Sequence, residues 1–126
     1  NNVIDHAGEG FVIGNEPGDT VSGNQIYNNI ITNSTGLPWE NIPGEAIHDL
    51  YGGARGRGNT FHSNILYGNP GGMGRLIAVR AYKNVRANPH FADPAQHDYQ
   101  LLPNSPVSTL NLWSGILSLP LKVGVG

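Results

Sequence analysis

Gly23-Asn24-Gln25-Ile26-Tyr27-Asn28-Asn29-Ile30-Ile31 is answered, 35 residues later, by Gly58-Asn59-Thr60-Phe61-His62-Ser63-Asn64-Ile65-Leu66. Both stretches read Gly-Asn, a polar residue, a large apolar residue, two more residues, then Asn and two aliphatics. Self-similarity of this kind points to a repeat architecture. Asn2, Asn29, Asn64 and Asn84 fall into one column, each followed by Val3, Ile30, Ile65 or Val85. Three residues before the Asn stand Ile26, Phe61 and Ala81. A second kind of segment aligns Phe11, Ile47 and Ile77, each two residues after Glu9, Glu45 or Arg75. The Asn spacings are 27, 35 and 20 residues, so 35 is not a period. Short elements keep their pattern while their connections vary, as in a solenoid whose coils contribute short parallel strands and whose insertions bulge from the turns.

Stacked coils bring identical positions about 4.8 Å apart, so aliphatics pile on aliphatics into a continuous core. An Asn at the bend can bond its amide to the Asn above and below and satisfy turn backbone groups; ordinary turn chemistry without a ladder is the simpler alternative. The fold class expected is all-β: a right-handed parallel β-helix of three to four short coils with a C-terminal cap, the handedness being what the resemblance below implies. Residues 1–107 form the coils and closing segment, and 108–126 an apolar cap or interface tail.

Composition agrees. The 126 residues make one domain, large enough for a core. Only 13% are charged and the net charge is −2, which leaves no basic footprint for nucleic acid. With 38% hydrophobic residues at regular spacing the chain is not of the disordered type. The 18 Gly and 9 Pro suit short strands joined by tight bends. No stretch free of Gly and Pro keeps apolar residues at helical spacing. Cys is absent, which excludes disulfides and thiolate metal sites. No run is long enough to cross a membrane as a helix. Asn1 to Asp5 is the second half of the repeated phrase without a first half. The N-terminal sheet edge is therefore expected to be open, completed by missing upstream chain or covered in a homo-oligomer. Asn33-Ser34-Thr35 matches the N-glycosylation pattern.

The Asn-x-Ile/Phe-x-x-Asn-Ile-Ile/Leu phrase resembles the right-handed parallel β-helix proteins of the pectate-lyase-like superfamily. A more specific match is the tail, Asn88-Pro89-His90-Phe91, Asp93-Pro94 and Leu101-Leu102-Pro103-Asn104-Ser105-Pro106. It is similar to the segment that closes the last coil of many secreted bacterial β-helix proteins. In those, Ser-Pro is usually followed by Ile-Asp and a Gly; here Val107-Ser108-Thr109-Leu110 departs from that pattern. The resemblance covers residues 1 to about 107. It implies a secreted or cell-surface bacterial protein that faces carbohydrate: a polysaccharide lyase, a glycoside hydrolase or a non-catalytic relative.

The candidate catalytic residues are Glu45, His48 and Asp49, with His6 and Glu9 from the preceding coil. Adjacent coils should bring Glu9 near Glu45, and two carboxylates at close range push one pKa upward, as acid–base chemistry requires. Two carboxyl groups flank the scissile bond in glycoside hydrolysis, and His48 beside Asp49 is placed to act as a base. Glu9, Tyr51, Arg55 and Arg57 are candidate substrate-binding residues. Each also has a plainer reading: Glu9 and Glu45 as a solvated bend, Asp49 as a structural strand-end residue, Arg55 and Arg57 as parts of a solvated loop. His90 and His97 read as structural. Tyr27, Tyr51, Tyr67 and Trp39 are available to stack on sugar rings, though scattered surface aromatics are ordinary. Asp19, Asp49 and Asp93 lack the dense spacing of a calcium site, so no metal and no cofactor is assigned. Two function classes follow: a carbohydrate-active or carbohydrate-binding protein with polysaccharide as partner, and a structural protein whose units associate through open edges. Neither involves nucleic acid or a membrane.

Overall fold

A computed structural model of the chain describes residues 1–15, 20–51 and 56–109. It is built almost wholly of short strands. The tail beyond residue 109, assigned above to a cap, lies outside the described residues.

Three parallel sheets are visited in recurring order. Sheet A stacks β1 (Val3–Asp5), β4 (Ile30–Thr32), β7 (Ile65–Tyr67) and β9 (Val85–Arg86). Sheet B pairs β2 (Phe11–Asn15) with β5 (Ile47–Tyr51). Sheet C stacks β3 (Gln25–Tyr27), β6 (Asn59–His62) and β8 (Val79–Tyr82). The register follows the sequence columns: Val3 faces Ile30, Ile30 faces Ile65 and Ile65 faces Val85. Likewise Ile26 faces Phe61, which faces Ala81. Between the sheets lies a core of Ile13, Ile31, Ala46, Ile47, Phe61, Leu66 and Val79, to which the Ile26–Phe61–Ala81 column belongs, whereas Ile30 and Ile65 sit in a second cluster on the other face of sheet A. Phe11 meets Phe61 edge to face, with ring centres 6.5 Å apart.

The bend from sheet C to sheet A carries the Asn column. Asn29 Nδ2 donates to Asn64 Oδ1 at 3.1 Å, and Asn64 Nδ2 to Asn84 Oδ1 at 2.9 Å. Each Oδ1 also accepts the backbone N–H of the preceding Asn, at 2.9 and 3.1 Å. The residue before each Asn is left-handed: Asn28, Ser63 and Lys83 have φ near +56°, +56° and +55°. A second Asn pair stands at the entry to sheet C, where Asn24 Nδ2 donates to Asn59 Oδ1 at 3.1 Å.

One column does not continue. The alignment of Ile77 with Ile47 is replaced by a bond from Ile47 N–H to Met73 O, and sheet B has no third strand among the described residues. Glycine is the reason. Gly72 and Gly74 have φ of +64° and +98°, and a Cβ at Gly74 would stand 2.3 Å from Ile47 O. The backbone therefore turns away before Ile77, which a strand would have to reach. Asp49 covers the break, its Oδ2 accepting the N–H groups of Ile77 at 2.6 Å and Ala78 at 2.9 Å.

The closing segment also differs from a last coil. It is an antiparallel hairpin of β10 (Phe91–Asp93) and β11 (Asp98–Leu101), followed by a four-residue helix, α1 (Pro106–Thr109). Phe91, Leu101 and Val107 pack on Val3, Ile30 and Ile65, the outer face of sheet A, which explains why all of β4 is buried. Tyr99 Oη donates to Asp5 Oδ2 at 2.9 Å and so ties the hairpin back to the first strand.

Three substitutions test this account. Asn64→Ala strands the buried Asn29 N–H and the Ile26 carbonyl bonded by Asn64 Nδ2. It should cost about 3 kcal/mol in urea unfolding at unchanged m-value, whereas Asn24→Ala at the exposed end of the second pair should cost less than about 1 kcal/mol. Lys83→Gly should instead stabilise by about 0.5–1 kcal/mol, because it relieves a left-handed Lys.

Candidate functional site

Strand alternation on β5 sends Ile47 and Asp49 inward, both buried, and His48 outward. His48 stands opposite Val12 on β2, with Leu50 two residues further along the same face. Glu45 lies just before β5, and Glu9 just before β2. Glu9 Oε2 accepts the backbone N–H of Glu45 at 2.7 Å, and Glu45 Oε2 lies 2.7 Å from His48 Nδ1. The side chains of His48 and Glu45 keep 17% and 14% of their surface exposed, enough to be reached and little enough to be poorly hydrated.

Glycine makes the room. A Cβ at Gly71 would fall 2.7 Å from Glu45 Cγ, and one at Gly74 would fall 3.3 Å from Glu45 Cδ. The glycine turn that ends the third column is thus the wall against which the Glu45 carboxylate rests.

The electrostatics follow from burial. Glu9 has its pKa raised, first by burial. The bond from Glu45 N–H and the field of His48 oppose that rise, while the Glu45 carboxylate adds to it. Its Oε1 is enclosed and has no hydrogen-bond partner among the described residues. A carboxylate only accepts, so with Glu45 ionised it is the His48 Nδ1–H that donates, and in the neutral imidazole this tautomer leaves the lone pair on Nε2. An imidazole held by a carboxylate in this way is an oriented base.

The other candidate residues are distributed differently. Asp49 is on the opposite face of sheet B from His48 and is occupied by the backbone of Ile77 and Ala78. His6 pairs with Asp5 at 2.9 Å rather than with the glutamates. Arg57 is exposed at the turn into sheet C, its backbone bonded to Ser22 and Gly23. Tyr51 ends β5 opposite Asn15. Arg55 lies outside the described residues, as does Asp19. Asn33, the glycosylation-pattern residue, has its amide bonded to Asp5 Oδ1 at 2.9 Å, so that motif has a structural use here.

Asp5 is the second perturbed carboxyl. Burial would raise its pKa, but bonds from Thr32, Asn33, His6 and Tyr99 outweigh that and hold it below the ordinary value. Burial, and after it the bond to Asp5 and the charge of that carboxylate, raises the pKa of Tyr99.

Sequence reasoning found the Glu9, Glu45 and His48 line but not the glycines that cradle it. It also missed a ring column on sheet C. Tyr27, His62 and Tyr82 stack with centres 5.2 and 4.6 Å apart, and Arg80 lies 5.2 Å from the Tyr82 ring. The signal was present, since Tyr27, His62 and Tyr82 each directly follow the Ile26, Phe61 and Ala81 column.

These features define an all-β protein of parallel sheets with a carboxylate–histidine cluster on one face. The chain belongs to the disaggregatase-related family, whose model matches residues 1–116. No curated protein and no solved structure matches it significantly.

The two carboxyls predict opposite pH responses. The stability that Asp5 confers is complete above its unfolded value, near 3.8, and is lost as pH falls through its lower folded value. Glu9 favours the folded state below its unfolded value, near 4.5, and this contribution is lost as pH rises through its higher folded value. In thermal melts across the acid range, Asp5→Asn should flatten the low-pH limb and Glu9→Gln should remove the loss on the rising side.

Proposed function

We propose that this protein is a carbohydrate-active β-helix, part of a polysaccharide lyase-like or glycoside hydrolase-like protein acting outside the cell. In this reading the three sheets wind as a right-handed solenoid of the pectate-lyase-like kind. Their recurring order and the Asn column support it, as does the likeness of the closing segment.

The observation that carries the chemistry is the Glu45–His48 contact at 2.7 Å beside the raised carboxyl of Glu9. His48 Nε2 acts as the base on a sugar chain lying along sheet B. Glu45 fixes the tautomer and stabilises the imidazolium that forms. Glu9 acts indirectly: its Oε2 anchors the Glu45 backbone, and its enclosed Oε1 keeps it from touching substrate. Val12 and Leu50, 61% and 55% exposed, provide the apolar surface beside His48 on which a sugar face can rest. The family name refers to disaggregation, which cleavage of an aggregate-holding polysaccharide would accomplish.

A second reading, association of copies, is favoured by one feature. Among the described residues β1 and β9, β2 and β5, and β3 and β8 are the edge strands of the three parallel sheets. Such edges pair readily with another chain.

A screen on uronate and neutral polysaccharides tests the first reading. His48→Ala should lower cleavage by about 10²–10⁴-fold, the usual contribution of a general base. Glu45→Gln should lower kcat and shift its pH profile, with unfolding midpoints close to the parent. Full activity in both variants would remove the site; no cleavage by the parent, together with a concentration-dependent oligomer in light scattering, would favour association.

A further inference from the structure

The closing hairpin does not lie flat on sheet A along its whole length. Where Thr32 and Tyr67 end their strands, a cleft of about 420 Å³ opens against the 88–94 segment and Leu102–Asn104. That volume lies within the range of small-ligand sites, roughly 300–1,000 Å³.

Its chemistry is specific in what it offers. Among the described residues no Lys, Arg, Asp or Glu lines it. Tyr67 and Leu102, 44% and 42% exposed, leave apolar surface uncovered on its two sides. Pro89 is fully buried and Phe91 is held in the outer core. Polar groups with no hydrogen-bond partner among the described residues surround this surface: the amide nitrogen of Asn88, the Asn104 amide, the Tyr67 hydroxyl and, enclosed rather than open to solvent, His90 Nδ1. Their backbones are already set. His90 N–H is bonded to Asn88 Oδ1 at 2.9 Å and His90 O to Leu102 N–H at 2.9 Å, and His90 is held left-handed at φ +55°. Thr32 and Asn33, behind them, are fixed by Asp5.

An uncharged cleft with an exposed tyrosine and several free amide and hydroxyl groups matches a ligand that has apolar C–H faces and many hydroxyls but no charge. We propose that this cleft is a binding subsite for neutral sugar units of a polysaccharide, distinct from the Glu45–His48 cluster. The ligand class rests on the carbohydrate reading above; the site does not depend on the acid–base residues. Tyr67 stacks on a pyranose face, and Asn88, His90 and Asn104 bond its hydroxyls. A uronate gains nothing from the described lining, which has no Lys or Arg to meet its carboxylate.

The test is an amide and side-chain NMR titration of the full chain with neutral tetrasaccharides of glucose, galactose and N-acetylglucosamine, against tetragalacturonate. At least one neutral ligand should shift resonances of Tyr67, Asn88, His90 and Asn104 saturably, and tetragalacturonate should bind at least tenfold more weakly. Tyr67→Ala and Asn104→Ala, both at exposed positions, should each weaken that binding at least tenfold while leaving the remaining spectrum in place. Should either variant unfold, the wild-type shift map alone decides. Shifts confined to sheet B, stronger binding of the uronate, or no saturable shift with any neutral ligand would overturn the subsite. Cleavage assays on the parent protein separate the two proposals: cleft binding without any cleavage leaves the subsite standing and removes the catalytic reading. Cleavage without cleft shifts does the reverse.

Discussion

The amide of Asn64 is the contact on which the rest of this structure depends. It is fully buried, and both its ends are used across neighbouring circuits of the chain. Parallel strands cannot be joined by tight hairpins, so every circuit must bend repeatedly, and each bend turns backbone groups away from the sheets. An Asn column supplies those groups with partners at the same place in every circuit. It also fixes register, since a slip by one residue would leave a buried amide unpaired. The aliphatic columns on both sides of the bend, Ile26–Phe61–Ala81 and Ile30–Ile65–Val85, then have no freedom to misalign.

Interest centres on where this regularity stops. In sheet B the glycine turn replaces a third strand, and the space left by missing Cβ atoms receives the Glu45 side chain. On sheet A the closing hairpin covers one end of the outer face and leaves the other as a cleft. Both candidate sites therefore lie beside irregular segments that rest on regular ones. Such placement gives functional side chains a rigid support without committing them to the core.

Much of the framework was legible because columns are a local property repeated. The Asn29–Asn64–Asn84 stack and the pairing of Phe11 with Ile47 follow from spacing alone. The proximity of Glu9 and Glu45 follows from the same alignment. The Ile77 column failed because a matching triplet says nothing of the backbone before it, and three glycines there permit a conformation that ends the strand. The Asn24–Asn59 pair was visible in the repeated Gly-Asn and carried the same chemistry as the larger column. Asp49 illustrates a different limit. Its inward direction was readable from alternation, but its partners, Ile77 and Ala78, are amides freed by a break that spacing does not reveal.

Sequence by itself determined the all-β character, the register of the stacked positions and, on β5 and β6, the side of the strand that is buried, because these depend on a period and on residue type. It also placed Glu9 beside Glu45. Tertiary structure alone decided that the closing segment folds back over sheet A, that Tyr99 reaches Asp5 across 94 residues, and that Glu45 meets His48 while Asp49 does not. The reason is physical. A hairpin chooses its face by the apolar surface left uncovered, and a side chain chooses its partner by the space and the unpaired groups around it. Both are properties of the assembled sheets, which no single stretch of the chain contains.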